Sequence, residues 1–140
     1  KDSAVLAGLV HNIGKLPILV HAEAFPKILL NVELLDYIIL NLHSRIGEKI
    51  LSSWEFPQPL VEAVREHDNL QYTHEGGPNY ADVVTVSNLQ SITNSKHPLA
   101  VADWSNVSAF EQLDIDTEIQ MVDIEENKEA IAEMKEILIS

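Results

Sequence analysis

The sequence predicts an all-α domain, a helical bundle, and three observations carry that expectation. Apolar residues recur at steps of three and four along most of the chain, strict apolar/polar alternation is scarcely found, and the periodic segments are broken by Phe56-Pro57, Gly76-Gly77-Pro78 and His97-Pro98. With 140 residues, 46% of them hydrophobic, the chain suffices for one domain with a real core, so residues 1–140 are read as a single unit.

The elements follow in order. A polar cap at Ser3 and an Ala/Leu/Val face predict a helix over 3–10, broken near Asn12 to Gly14. A short helix over 16–24 comes next. Pro26 suits the first turn of a helix over 27–30, where its missing N–H costs nothing. The segment from Val32 to Trp54 places Leu35, Ile39, Leu42, Ile46, Ile50 and Ser53 on one face, which predicts a long helix with a continuous buried stripe. It should stop at Phe56, because a residue before proline is pushed out of the helical region. A helix over 59–67 then shows Leu60, Val64 and His67 on one side. After the polar loop 68–78, Asn79 caps a helix from Tyr80 to about Asn94. The tail, 108–140, reads as two or three acidic amphipathic helices, with Ile115, Ile119 and Val122 on one face and Ile131, Met134 and Leu138 on another.

Composition excludes several function classes. The 22 acidic against 9 basic residues give a formal charge of −13, which disfavours nucleic acid and anionic membranes as partners. A protein or a small molecule fits better. Without cysteine there is no disulfide framework and no thiolate chemistry, in keeping with a cytoplasmic location. No apolar run is expected to span a bilayer, since the richest, Leu34 to Leu42, is interrupted by Asp36 and Asn41.

Five polar residues stand on apolar faces or at helix ends: His11, Asn12, His43, His67 and Asn88. Any one of them alone is ordinarily a hydrogen-bonded core residue. Buried imidazoles and amides need partners, however, and together these residues would satisfy one another. Convergent inward histidines are also what a metal site requires.

AGLVHNIGKLPIL resembles the signature of the HD superfamily, in which a His-Asp pair ends one helix and Ile-Gly-Lys opens the turn to the next. HSRIGEKILSSWEFPQPLVEAVREHD and YADVVTVSNLQSI are similar to the later stretches of HDOD domains, a signal-output branch of that superfamily. The resemblance covers roughly residues 3 to 95 and implies a helical bundle of the HD/HDOD type.

Where catalytic members carry metal-binding aspartates, the matching positions hold Asn12 and Asn88. An amide oxygen brings no charge, so a site of imidazoles and amides loses most of what holds a hard divalent cation and acidifies its water. The family's preceding histidine would lie on a helix before residue 1, which suggests a partial copy. His67 is followed by Asp68 where HD-GYP phosphodiesterases carry a second histidine, and Gly76-Gly77-Pro78 is read as a turn rather than as their GYP element. Lys15 matches a phosphate-contacting lysine of those enzymes, although a solvated lysine is the plainer reading. Trp54 and Phe56 are expected in the core, and Trp104, with no clear stripe, at the surface.

The resemblance and its departures together predict a non-catalytic output module of bacterial signal transduction. On this reading it acts through protein contacts, with a vestigial metal site and neither metal nor other cofactor. The alternatives are a metal-dependent phosphohydrolase acting on a nucleotide or cyclic dinucleotide, with His11, His43 and His67 as ligands, and a small-molecule sensor using the emptied cavity. Apolar faces left uncovered by missing helices further predict a homodimer or larger assembly.

Overall fold

A computed structural model describes residues 2–117. Within them lie seven α-helices: α1 (Asp2–Val10), α2 (Lys15–Ala22), α3 (Pro26–Leu29), α4 (Val32–Ser53), α5 (Gln58–Glu66), α6 (Tyr80–Ile92) and α7 (Ser108–Gln112). A single 3-10 turn, Pro98–Val101, joins the last two. The fold is all-α, as expected, and no strand occurs among the described residues. Most predicted boundaries shift by only a residue or two. The expected tail helices, with Ile119, Val122, Ile131, Met134 and Leu138, fall beyond residue 117 and so outside the described residues.

Local chemistry explains the boundaries. Asn31 caps α4 by accepting the Leu34 N–H (3.1 Å). Asn79 and Asp82 form a reciprocal capping box at the start of α6, with Asp82 N–H donating to Asn79 Oδ1 (3.0 Å) and Asn79 N–H to Asp82 Oδ2 (2.8 Å). At the end of α4, Phe56 N–H reaches Leu51 O (3.0 Å) and Glu55 N–H reaches Ser52 O (3.1 Å), with Glu55 at φ 58°. This pair of bonds around a left-handed residue is a Schellman ending, and it turns Phe56 back toward the core.

α5 is the centre of the molecule, flanked by α4 and α6 and crossed by α1. Leu51, Val61 and Val64 pack between α4 and α5, while Ala7, Leu60, Ala63, Ala81 and Val84 pack where α1, α5 and α6 meet. Val86, Leu89, Val107, Ala109 and Phe110 join α6 to α7. α2 and α3 lie against α4.

Four expectations are corrected. The buried line of α4 is not the continuous aliphatic stripe but His43, Gly47 and Leu51; Leu42 and Ser53 are exposed, and Leu35, Ile39, Ile46 and Ile50 are half-buried. The cause is a close backbone approach, because a Cβ at Gly14 would overlap the His43 carbonyl and one at Gly47 would sit 2.6 Å from Val64 Cγ1. Trp54 is not a core residue but is 60% exposed, since the Schellman turn directs the half-buried Phe56 against the core in its place. Trp104 is half-buried rather than exposed, stacked on Phe110 (17° between planes) with its Nε1–H donating to Leu99 O (2.7 Å). Finally, Asp2–Ala22 is a 21-residue stretch long and apolar enough, by length and composition, to cross a membrane. Yet the chain turns at His11–Gly14, and α1 and α2, at nine and eight residues, reach only roughly 12–14 Å each against the ~30 Å of a bilayer core.

Candidate metal centre

Four helices bring their polar residues to one place. His11 follows α1, His43 lies mid-way along α4, His67 and Asp68 follow the last turn of α5, and Asn88 lies on α6. Because Gly14 carries no Cβ, the turn after α1 rests on the backbone of α4 at His43.

His43 and His67 are almost wholly buried, at 2% and 0% exposure. His43 Nε2 lies 3.1 Å from His67 Nε2 and 2.7 Å from Asp68 Oδ2, and His67 Nε2 lies 3.4 Å from Asp68 Oδ1. The His11 ring stands edge-on to that of His67, with centroids 4.9 Å apart. Asn88 donates its amide N–H to Asp68 Oδ1 (2.9 Å). Asn12 is half-buried in the turn, and among the described residues its side chain makes no hydrogen bond to this cluster. Lys15 is half-buried and lines a cavity of about 750 Å³ that also reaches His43, Tyr37 and Lys96.

The tautomers follow from the backbone. The Nδ1 atoms of His43 and His67 each sit 2.7 Å from a carbonyl, Ile39 O and Val64 O, and His11 Nδ1 meets Gly8 O. A carbonyl can only accept, so each Nδ1 carries a proton, and the His67 ring, held neutral by burial, turns a bare Nε2 into the cluster. His43 Nε2 lies between the His67 lone pair and the Asp68 carboxylate, where a proton on it is donated to Asp68 Oδ2.

Electrostatics sharpens the picture. Burial pushes His67 down to about 4, so its ring is neutral near pH 7. Burial likewise lowers His11, the opposing hydrogen bond to Gly8 notwithstanding. Burial works to raise the Asp68 carboxyl, but its hydrogen bond with His43, with the positive charge of Lys15 behind it, outweighs that and holds it below the usual range.

His43, His67 and Asp68 are the donors that could hold a metal ion, each offering one ligand atom to a common point. Two imidazoles and a carboxylate suit a divalent transition metal. Two ligand atoms at about 2.1 Å from an ion and at tetrahedral or octahedral angles lie roughly 3.0–3.4 Å apart, close to the spacings found here. The imidazole Nδ1–H bonds to backbone carbonyls are the outer contacts that ordinarily orient metal-binding histidines. The residues present fit one such ion.

Sequence reasoning singled out His11, His43, His67 and Asn88, which the structure assembles, and Asn12, which it leaves aside. It missed Asp68 as a site residue. Asp68 was noted only as a departure from a His-His pattern, and its adjacency to the most buried histidine was the available signal.

The fold and this cluster define an all-α protein of the HD superfamily, built around inward histidines. The profile of the HDOD domain matches residues 1–70, half of the chain, and the chain belongs to that family. It is similar to an uncharacterized protein of Treponema pallidum (strain Nichols), 27% identical over 105 residues, which cover 63% of this chain and 20% of the relative. It is also similar to a crystal structure from Shewanella amazonensis SB2B of a protein provisionally designated a metal-dependent phosphohydrolase. There the TM-score is 0.64 at 29% identity, covering 79% of this chain and 37% of the other. The chain thus spans well under half of the length of these relatives.

Proposed function

We propose that the chain is a non-catalytic regulatory module of a bacterial signalling protein that works in the cytoplasm through protein contacts. One observation carries this reading: both positions where catalytic relatives supply carboxylates hold amides, and Asn88 turns its N–H toward the site, onto Asp68. A two-metal phosphoesterase needs anionic groups to hold and bridge its ions, and one carboxylate remains here. Large apolar side chains on the surface, among them Leu30 at 83%, Val20 and Tyr37 at 66%, supply area for protein contacts. The test is hydrolysis of bis(p-nitrophenyl) phosphate and of cyclic dinucleotides by the chain supplemented with manganese, iron or magnesium. No turnover above the metal-only background is expected. Turnover that is lost in His67→Ala would overturn the proposal.

The second reading, a metal-dependent phosphohydrolase, is favoured by the His43/His67/Asp68 donor set and by the likeness to the Shewanella structure. A divalent ion held by those residues would polarise a phosphoryl oxygen and acidify water. Lys15, which lines the cavity that reaches His43, would receive the negative charge of a phosphate.

A further inference from the structure

We infer that residues 73–78, between α5 and α6, are a strap that opens as pH rises: the contact of protonated His74 with the buried carboxylate of Asp82 pins it, and loss of that proton releases it. The strap shares no residue with the histidine cluster. It goes beyond the proposed function and stands whether or not the module acts on a substrate.

Backbone bonding isolates the segment. Among the described residues, no backbone–backbone hydrogen bond involves Thr73 to Pro78, whereas just before them Tyr72 N–H reaches Asn69 O (3.0 Å). Thr73 and residues 75–78 are exposed, and Gly76 (φ 101°) and Gly77 have open space where a side chain would stand. Within the segment, His74 alone has a side chain bonded to another element, with Nε2 2.8 Å from Asp82 Oδ2. The flanks are anchored independently. Tyr72 packs on the core where α1, α5 and α6 meet and donates to Glu62 Oε1 (2.8 Å), and Asn79 caps α6, so a release is confined to the stretch between them.

Charge makes the pin depend on a proton. Asp82 is 1% exposed; its Oδ2 also accepts the Asn79 N–H (2.8 Å), and its Oδ1 has no hydrogen-bond partner among the described residues. A carboxylate kept from water needs a positive partner. The groups that face His74 are acidic or neutral: Asp82 on α6, Glu62 on α5, Glu75 beside it, and the Tyr72 ring with its centroid 5.4 Å away. Arg65, the cation of α5, is engaged by Glu48 and Glu66. The hydrogen bond to Asp82 accordingly lifts the His74 pKa above its ordinary 6.5, and the strap is closed at neutral pH. A protonated ring donates from Nε2 to Asp82 and from Nδ1 toward Glu75 O (3.3 Å). A neutral ring donates from one nitrogen and sets a lone pair against an oxygen at the other. Asp82 loses its counter-charge at the same step, and opening the strap admits water to it.

The chain has no cysteine, so Gly77→Cys on the strap and Lys49→Cys on α4, both exposed, carry a nitroxide pair for pulsed electron–electron double resonance between pH 6 and pH 9. The expected result is one narrow distance distribution at pH 6 and a broader, displaced one at pH 9. The midpoint should lie above 6.5 and coincide with the titration of the His74 ring followed by NMR in unlabelled protein. His74→Gln, which cannot take a charge, should give the broad distribution at both pH values, and His74→Arg, whose charge persists, the narrow one at both. Far-UV circular dichroism establishes that each variant is folded. A wild-type distribution unchanged between pH 6 and pH 9 overturns the inference, as does an equal change in His74→Gln or a pH-dependent broadening that persists in His74→Arg.

Discussion

The two halves of α4 face different worlds. Its C-terminal half buries His43, Gly47 and Leu51 against α5 and the turn after α1, with backbones close enough that two glycines are needed. Its N-terminal half, with α2 and α3 beside it, leaves Val32, Leu34 and Tyr37 exposed, next to an apolar hollow of about 360 Å³ lined by Ile18, Phe25, Ile28 and Leu42. The same helix is thus core at one end and open apolar surface at the other. The lesson is that burial here follows backbone approach rather than hydrophobicity, and substitutions in the two halves should differ accordingly.

The largest effect is expected at Gly14. It has ordinary helical φ and ψ (−67°, −14°), so its role is not conformational freedom; it is the absence of a Cβ where one would strike the His43 carbonyl and the Gly47 backbone nitrogen. Those are backbone atoms that cannot rotate away. Gly14→Ala should cost about 3 kcal/mol, the upper end of ordinary overpacking, in urea or guanidinium denaturation. Gly8, with nothing near its position, supplies the contrast: alanine there should be neutral or slightly stabilising.

The second effect is pH dependence, and two histidines should pull in opposite directions. His67 has its pKa depressed to about 4, so protons favour the unfolded chain below pH 6.5. In metal-free protein this term is fully present above pH 6.5 and is lost as pH falls toward 4, on the order of 3 kcal/mol for a shift of that size. His74 is raised, chiefly by its hydrogen bond to the buried carboxylate of Asp82 (2.8 Å), so its contribution is present below pH 6.5 and fades as pH climbs through the raised value. Stability of wild type and His74→Gln, compared across pH 4 to 9, should therefore converge at the alkaline end. A gap that widened with rising pH would contradict the sign.

Legibility in the sequence divides along the same line. Helix existence was readable because caps and breakers are local: Asn79 and Phe56-Pro57 act within a few residues of themselves. The inward direction of His67 was readable from periodicity, since it shares a face with the buried Leu60 and Val64, whereas His43 was placed by Ile39, Ile46 and Ile50, which are only half-buried. The burial of α4 was misread because the aliphatic stripe is a one-helix property, whereas the close approach of Gly14 and Gly47 to other elements belongs to pairs distant in sequence. Asp68 was missed for a related reason. It lies past the last turn of α5, where no period applies, and its partners His43 and Asn88 are some twenty residues away on either side.

The third effect concerns the open half and should be small in stability but visible in association. Leu30→Ser and Val20→Ser remove exposed apolar groups that no packed neighbour depends on, so each should change folding stability by within about 0.5 kcal/mol. If that face makes the protein contacts proposed above, including contacts between two copies, the double substitution should shift sedimentation toward monomer. A weight-average mass identical in wild type and double variant, and above monomer, would place self-association elsewhere.

The smallest effect lies back in the packed half, at Glu55. Its φ of 58° puts a side-chain-bearing residue in the left-handed region that the Schellman ending requires, where a Cβ crowds the following carbonyl. The geometry is held because Phe56, the next residue, is packed between α4 and α5, and a different turn would withdraw it. Glycine relieves the crowding, but it also adds freedom to the unfolded chain, which offsets part of the gain. Glu55→Gly should therefore stabilise by only about 0.5 kcal/mol, while Glu55→Ala, which keeps the Cβ, should be nearly neutral. Glu55 is exposed, so no lost packing should confuse the comparison. Denaturation midpoints at constant m-value decide it: a gain for glycine alone assigns the strain to the backbone, whereas equal gains for both would show that the glutamate side chain, not its φ, is the unfavourable element.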